Sequence, residues 1–195
     1  MNTRLPAPAR REQILDVSVQ VFARRGFHST SMNDVAEAAG VTKPVLYQHF
    51  DSKQDLYLAL LDEAGARLRA AVARGVESAT SGKEQTARGF KAYFRWVAED
   101  RDAFLLLFGL RANRDDESTA AIRRITAETA HAIAPLIAAD IDSDHQHLLA
   151  QGLVGLAEGV SRHLVERGME FDPDEVGQQV ADLAWAGLRA VHRNP

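Results

Sequence analysis

Between Thr30 and Leu56 the chain reads TSMNDVAEAAGVTKPVLYQHFDSKQDL, and its helix start and stop signals leave room only for short helices. Ser31 is a good N-cap, with Asp34 three residues on, close to a capping-box spacing. Val35, Ala36 and Ala39 supply an apolar face at helical steps. Gly40 ends that helix, because glycine enters the left-handed conformation at little cost. Val41 can fill the corner. Thr42 caps the next helix, and Pro44 lies in its first turn, where a missing N–H does no harm. Ser52 then opens a third helix, with Asp55 at the box position. The pattern predicts two short helices joined by a tight turn, with a longer one behind.

In the second of these helices Val45, Leu46 and Phe50 can face inward, leaving Lys43, Pro44, Tyr47, Gln48 and His49 largely outward. So short a helix is not stable alone in water and must be held by its neighbours. Its outward face offers a cation, a phenol, an amide and an imidazole, groups suited to phosphates and base edges. In DNA-binding helix-turn-helix proteins the second helix enters the major groove, led by its N-terminal residues. The plainer reading is a helical hairpin with a glycine corner. The matching caps and the polar outer face favour DNA.

Composition sets limits. A chain of 195 residues with 46% hydrophobic residues can bury a sizeable core in one or two domains. The absence of cysteine excludes disulfides, thiolate catalysis and zinc–cysteine sites. No apolar run approaches the ~20 residues of a membrane span, and the first residues lack the apolar core of a signal peptide, so the cytoplasm is expected. Net charge is −4, but residues 1–60 hold seven Lys/Arg against six Asp/Glu, so the acidity sits in the rest. Phosphate contacts then fall to a few placed cations: Arg4, Arg10, Arg11, Lys43 and Lys53.

The remaining chain reads as all-α, about nine helices in total. Met1–Ala9 is an arm, reaching toward DNA or simply solvated. Helix 1 is expected over about Ala9–Arg25, buried along Ile14, Val17, Val21 and Phe22 and stopped by Gly26. Helix 4 is expected from Lys53 to Ser78, its N-terminus a ready phosphate site, and helix 5 from Glu84 to Asp100. Helix 6 is expected over Ala103–Arg111, followed by a polar loop over Asn113–Ser118. Helix 7 is expected over Thr119–Ala139 with a kink or end at Pro135, helix 8 over Asp144–Arg167 and helix 9 over Asp174–His192.

The stretch around the corner resembles the DNA-binding domain of the TetR family of transcriptional regulators. The resemblance is carried by Gly26-Phe27, Thr30-Ser31, Asp34-Val35-Ala36, Ala39-Gly40-Val41-Thr42-Lys43, Leu46-Tyr47, His49-Phe50, Lys53 and Leu56. It covers about the first 60 residues; beyond them the likeness is only in length and helical character. It implies an all-helical homodimer that usually represses genes and leaves double-stranded operator DNA when a small-molecule effector binds the C-terminal part. Residues 1–56 would be the DNA-binding domain and 57–195 the ligand-binding and dimerisation domain. By position, Thr42, Lys43, Pro44 and Val45 would face base edges, with Asn33 reaching in, while Ser31, Tyr47, His49 and Lys53 hold phosphates. The family often carries a small residue after the lysine, and Pro44-Val45 departs from that.

Two further features bear on the larger part. Gly152, Gly155 and Gly159 interrupt helix 8, each costing roughly 1 kcal/mol against Ala in an exposed helix, which close helix approach would offset. Helix 9 carries a stripe including Val180, Leu183 and Gly187. Two such helices from each of two chains would make a four-helix dimer interface; burial inside one subunit is the alternative. The aromatics Phe90, Tyr93, Phe94, Phe104 and Phe108, with His131, are either core or the lining of an effector cavity for a largely apolar molecule. His145 and His147 are two apart and diverge on a helix, and His131 and His163 read as lone residues. No cofactor, metal or catalytic site is expected. The alternatives to a ligand-released repressor are an architectural DNA-binding or interaction module without a switch, and an enzyme on a helical bundle.

Overall fold

The computed structural model describes residues 6–109, 112, 115–137 and 141–191, and these form nine helices and one 3-10 turn, with no strand among them. In order they are α1 (Ala7–Arg25), α2 (Met32–Ala38), α3 (Lys43–Tyr47), α4 (Lys53–Val76), α5 (Gly82–Glu99), α6 (Arg101–Phe108), α7 (Asp116–Ile133), α8 (Ser143–Glu166) and α9 (Pro173–Leu188). The fold is therefore all-α, as the periodicities require. The expectations on Arg4, Arg111, Asn113, residues 138–140 and His192 lie outside the described residues.

The boundaries follow local chemistry. Proline stands in the first turn of α1, and Gly26, at φ 77°, closes the helix by donating its N–H to the Phe22 carbonyl at 2.8 Å. The buried face of α1 is Ile14, Leu15, Ser18, Val19 and Phe22, one residue round from the expected stripe, so Val17 and Val21 are only half-buried. Both stripes have helical spacing, and tertiary packing chooses between them. Pro135 ends α7 at Ile133 and turns the chain through a 3-10 segment, Ala134–Leu136, because its ring cannot follow an α-helical carbonyl.

The described residues up to Ala64 pack with those of Asp102–Ala121 as one unit. Its core is built from Ile14, Phe22, Val35, Leu46, Phe50, Leu56, Tyr57 and Leu60, all at most 2% exposed. Phe22 stacks on Phe27 and Tyr57 meets both edge-on, with ring centroids 5.1–6.1 Å apart. α6 belongs here too: the Tyr57 hydroxyl reaches the Leu106 carbonyl at 3.4 Å, and Gln54 donates to the Ser118 hydroxyl at 3.4 Å.

The remainder, Gly65–Arg101 and the described residues from Ile122 onward, forms the second unit. Three glycines let its helices touch. A Cβ at Gly65 would stand 2.6 Å from the Ile125 side chain, one at Gly75 2.5 Å from Ala92 Cβ, and one at Gly177 2.7 Å from Lys91 Cα. The last contact is backbone to backbone across α5 and α9. Arg95 clamps the same pair, donating to both carboxylate oxygens of Asp174 at 2.6 and 2.7 Å. That contact raises the arginine pKa and lowers the aspartate's. On the outer face of α8, Leu148 is 70% exposed and a Cβ added at Gly152, Gly155 or Gly159 would meet nothing. On α9, Leu183 is 65% exposed and Gly187 is equally open, whereas Val180, 7% exposed, packs within its own chain.

These contacts give glycine substitutions opposite signs. Gly177→Ala should destabilise by roughly 1–3 kcal/mol, since backbone must move. Gly89→Ala, whose Cβ would sit an ordinary 3.5 Å from Val76, should stabilise by up to about 1 kcal/mol through helix propensity. Urea unfolding of both variants checks the signs.

Candidate nucleic-acid interface

The corner is built from matched hydrogen bonds. The Ser31 hydroxyl accepts from the Asp34 N–H at 3.2 Å, and the Asp34 carboxylate accepts from the Ser31 N–H at 2.8 Å, completing a capping box. Arg25 of α1 donates to the same carboxylate at 2.7 Å. The Ser31 hydroxyl and N–H, with Arg25 adding, hold Asp34 below the ordinary carboxylate pKa. At the far end Gly40 takes φ 64°, and its N–H donates to the Glu37 carbonyl at 3.1 Å while the Val41 N–H donates to the Ala36 carbonyl at 2.9 Å. That pair of bonds is a Schellman motif, and it fixes where the chain re-enters as α3.

α3 is five residues long and anchored by Leu46, 0% exposed, and Phe50 just beyond it. Thr42 holds the cap position, but its side chain makes no capping bond, so its hydroxyl stays exposed with Lys43, Pro44, Tyr47 and Gln48. Val45 and His49 are half-buried. The Lys43 ammonium lies 5.9 Å from the Tyr47 ring centre and the Arg11 guanidinium 5.0 Å from that of Phe50. Asn33 on α2 and its N-cap Ser31 are exposed.

Lys53 is more committed than its sequence position suggested. Its ammonium donates to the Phe27 and Thr30 carbonyls at 2.9 and 3.0 Å and sits 4.3 Å from the Phe27 ring centre. The buried Thr30 hydroxyl in turn donates to the Gly26 carbonyl at 2.8 Å. The α1–α2 loop is thus tied to the first turn of α4. That turn is itself capped: the Asp55 N–H donates to the Ser52 hydroxyl at 2.9 Å and the Asp51 N–H to the Asp55 carboxylate at 3.1 Å.

The residues named for an effector are divided between the two units. Phe90, Tyr93 and Phe94 are buried on α5 in the second unit; Phe104 and Phe108 are buried on α6 in the first. His131 is exposed, with its Nδ1 2.9 Å from Nε2 of His147. Sequence reasoning missed that pair, and also missed Trp96 and Ser161. The Tyr93 hydroxyl, Trp96 Nε1 and Ser161 hydroxyl are all buried and none makes a hydrogen bond of ordinary geometry among the described residues, although the Ser161 hydroxyl lies near enough to Tyr93 to favour its ionised form slightly. Burial pushes the Tyr93 phenol well above its ordinary pKa, so it stays neutral.

Two short helices at a Schellman corner, the second presenting a cation, a hydroxyl and a phenol, define a helix-turn-helix DNA-binding head. The family model described as "Bacterial regulatory proteins, tetR family" matches residues 14–60. The transcriptional activator FasR of Mycolicibacterium smegmatis is 30% identical over 190 residues, covering 96% of this chain and 87% of that one. A TetR-like regulator from Rhodococcus sp. RHA1 superposes with a TM-score of 0.78 at 30% identity, over 96% of this chain and all of the other. FadR of Bacillus subtilis, solved in complex with stearoyl-CoA, has the same fold, with a TM-score of 0.78 at 20% identity over 90% of this chain and 98% of its own. The chain belongs to the TetR family of DNA-binding transcriptional regulators.

The two lysines should separate in experiment. Lys43→Ala should weaken DNA binding and leave the melting temperature unchanged, whereas Lys53→Ala should lower both. Each flattens the salt dependence of binding by about one if it meets a phosphate. The capping box gives a pH test. The Asp34 pKa is depressed in the folded state, so its stabilisation is present above the unfolded pKa and is lost as pH falls through the folded one. The stability difference between wild type and Asp34→Asn should therefore shrink in acid, as read by thermal melts across pH.

Proposed function

We propose that this chain is a ligand-responsive regulator that binds a palindromic operator as a homodimer and leaves it when a small, largely apolar effector binds the second unit. The observation that carries the DNA half is the exposed start of α3, where Thr42, Lys43 and Pro44 face outward and half-buried Val45 lies beside them. Pro44 and Val45 suit thymine methyls. Ser31, Asn33, Tyr47, His49 and the free N–H of Lys53 are the remaining contacts. The cytoplasm, where operator DNA is found, is the proposed location.

Dimerisation is supported by the outer face of α8 and α9. Leu148, Gly152, Gly155 and Gly159 recur at four- and three-residue steps on one side of α8, and Leu183 and Gly187 at four on α9, all open. A two-fold protein matches a palindromic site, with reading heads one groove repeat of about 34–36 Å apart.

The effector half rests on α5. Phe90, Tyr93 and Phe94 bring an apolar wall, and three buried polar atoms beside it make no hydrogen bond of ordinary geometry among the described residues, the Tyr93 and Ser161 hydroxyls having only a marginal contact with each other. Leaving each unpaired costs about 1–3 kcal/mol, a cost that a ligand with one hydrogen-bonding group would remove. The Bacillus subtilis FadR was solved with stearoyl-CoA, and an effector of that apolar character suits the wall. α4 contributes Lys53–Ala64 to the first unit and its remaining turns to the second, so it is the element through which an effector would act. The effector must bind the displaced state better, and operator DNA then weakens effector binding by the same factor.

The sign of regulation proposed is repression by occlusion of the operator. The full-length relative FasR is named an activator, which favours a second reading in which the bound dimer recruits polymerase. A reporter driven from an operator selected out of random DNA separates the two.

Two variants test the proposal. Leu183→Glu should give a monomer by sedimentation, with helical content kept and most operator affinity lost. Tyr93→Phe should match or exceed the melting temperature of the ligand-free wild type, since it deletes a stranded hydroxyl, while its operator response to an effector found by thermal-shift screening weakens. A large loss of ligand-free stability would mean that the hydroxyl serves the fold.

A further inference from the structure

Buried hydroxyls in this protein follow a habit. Those of Ser18, Thr30 and Thr129 each donate to the carbonyl four residues back, at 2.6–2.8 Å. A serine or threonine in a helix always has that partner within reach. Ser161 of α8 is 0% exposed and does not take it. Its hydroxyl lies near that of Tyr93 on α5 instead, in a contact too marginal to count as a hydrogen bond. Trp96 stands one turn along α5 from Tyr93, with ring centroids 6.2 Å apart, and its indole N–H is buried and unmet among the described residues. The other buried tyrosine, Tyr57, does find a partner, the Leu106 carbonyl.

We propose that Tyr93, Trp96 and Ser161 form the polar end of the effector site and that they take a neutral carbonyl group, as in an ester, thioester, ketone or amide. This rests on the effector reading above and narrows the chemistry that the reading allows. An indole N–H can only donate, and each hydroxyl brings one hydrogen. Where the two hydroxyls face each other, one hydrogen is used between them and one is left over. Two donors then remain, and a carbonyl oxygen offers two lone pairs and no hydrogen of its own. An amine brings donors where donors are already in excess. An alcohol brings a hydrogen that needs an acceptor in turn.

Charge argues in the same direction. Glu158 and Arg162 flank Ser161 on α8, and both act on the Tyr93 phenol, with opposite sign. They are paired with each other, Arg162 donating to the Glu158 carboxylate. The arginine is therefore not free to balance an ionised carboxylate on the effector, and burying an unpaired anion costs far more than burying a carbonyl. Burial keeps the phenol neutral, so Tyr93 retains the hydrogen it would donate. The setting is otherwise apolar: Ala157 and Leu164 lie about one turn either side of Ser161, both buried, and Phe94 of α5 meets Phe171 edge-on.

The test uses methyl octanoate, octanoate and octanol, which share a chain and differ at its end. Calorimetric titration of the full-length protein should rank the ester first. Tyr93→Phe and Ser161→Ala should each weaken the ester roughly two- to ten-fold, the worth of one hydrogen bond. The ester carbonyl absorbs in the infrared clear of the peptide bands. Its band should fall in frequency on binding to the wild type and rise again in each variant. Ligand-free melting temperatures should be kept in both variants, since each loses a hydroxyl that bonds to nothing. Tighter binding of octanoate or octanol than of the ester overturns the carbonyl site and leaves an apolar effector site in place. So does equal ester affinity, or an equal carbonyl band, in the wild type and the double variant. A fall of several degrees in both ligand-free variants also overturns it, the hydroxyls then serving the fold through a buried water. Failure of the ester to bind at all overturns the carbonyl site, and the effector reading falls with it only if no compound from the thermal-shift screen alters operator affinity.

Discussion

A five-residue helix has no stability of its own in water, and α3 is such a helix. Everything that fixes its direction comes from outside it. Leu46 and Phe50 are sunk in a core shared with α1 and α4, the Schellman bonds at Gly40 set its entry angle, and the α2 capping box ties that angle to Arg25 of α1. The arrangement has a functional logic. A helix that uses few residues to hold itself in place leaves Thr42, Lys43, Pro44 and Tyr47 outward and available. Pre-organisation is supplied by the neighbouring helices and caps, so binding need not order the reading helix and lose affinity to that entropy cost.

Lys53 illustrates how one cation can serve both levels. Two of its three donors hold the loop after α1, and its charge lies over Phe27. A phosphate contact through the third donor would link the register of the head on DNA to the integrity of the loop behind it. Lys43, by contrast, leans on the exposed ring of Tyr47.

The corner was legible because its signals are local. Ser31 with Asp34, Gly40 before Val41, and Pro44 after Thr42 each act within a turn of chain, and family resemblance covered the same stretch. Helix ends were read to within a few residues for the same reason. The buried face of α1 was not, because Ile14 fits two overlapping stripes and only the neighbouring helices choose. α6 reads as apolar on nearly every side, which foretells burial but not that it packs beside Tyr57. The His131–His147 pair, and the buried hydroxyls of Tyr93 and Ser161, arise between different helices. No periodicity within one helix can announce them.

α4 touches its neighbours in the second unit at two places where it has no side chain. Gly65 lies against Ile125 of α7 and Gly75 against Ala92 of α5, both nearer than a methyl group allows. Side chains at an ordinary interface can swing between rotamers and absorb a small shift. Backbone set directly against a neighbour cannot. Movement of α5 or α7 is therefore taken up by α4 with almost no slack, as in a gear whose teeth have been cut away until the shafts themselves meet. In the switch proposed above, the sharpness of the response would then be set partly by two positions that differ from their neighbours only in what they lack.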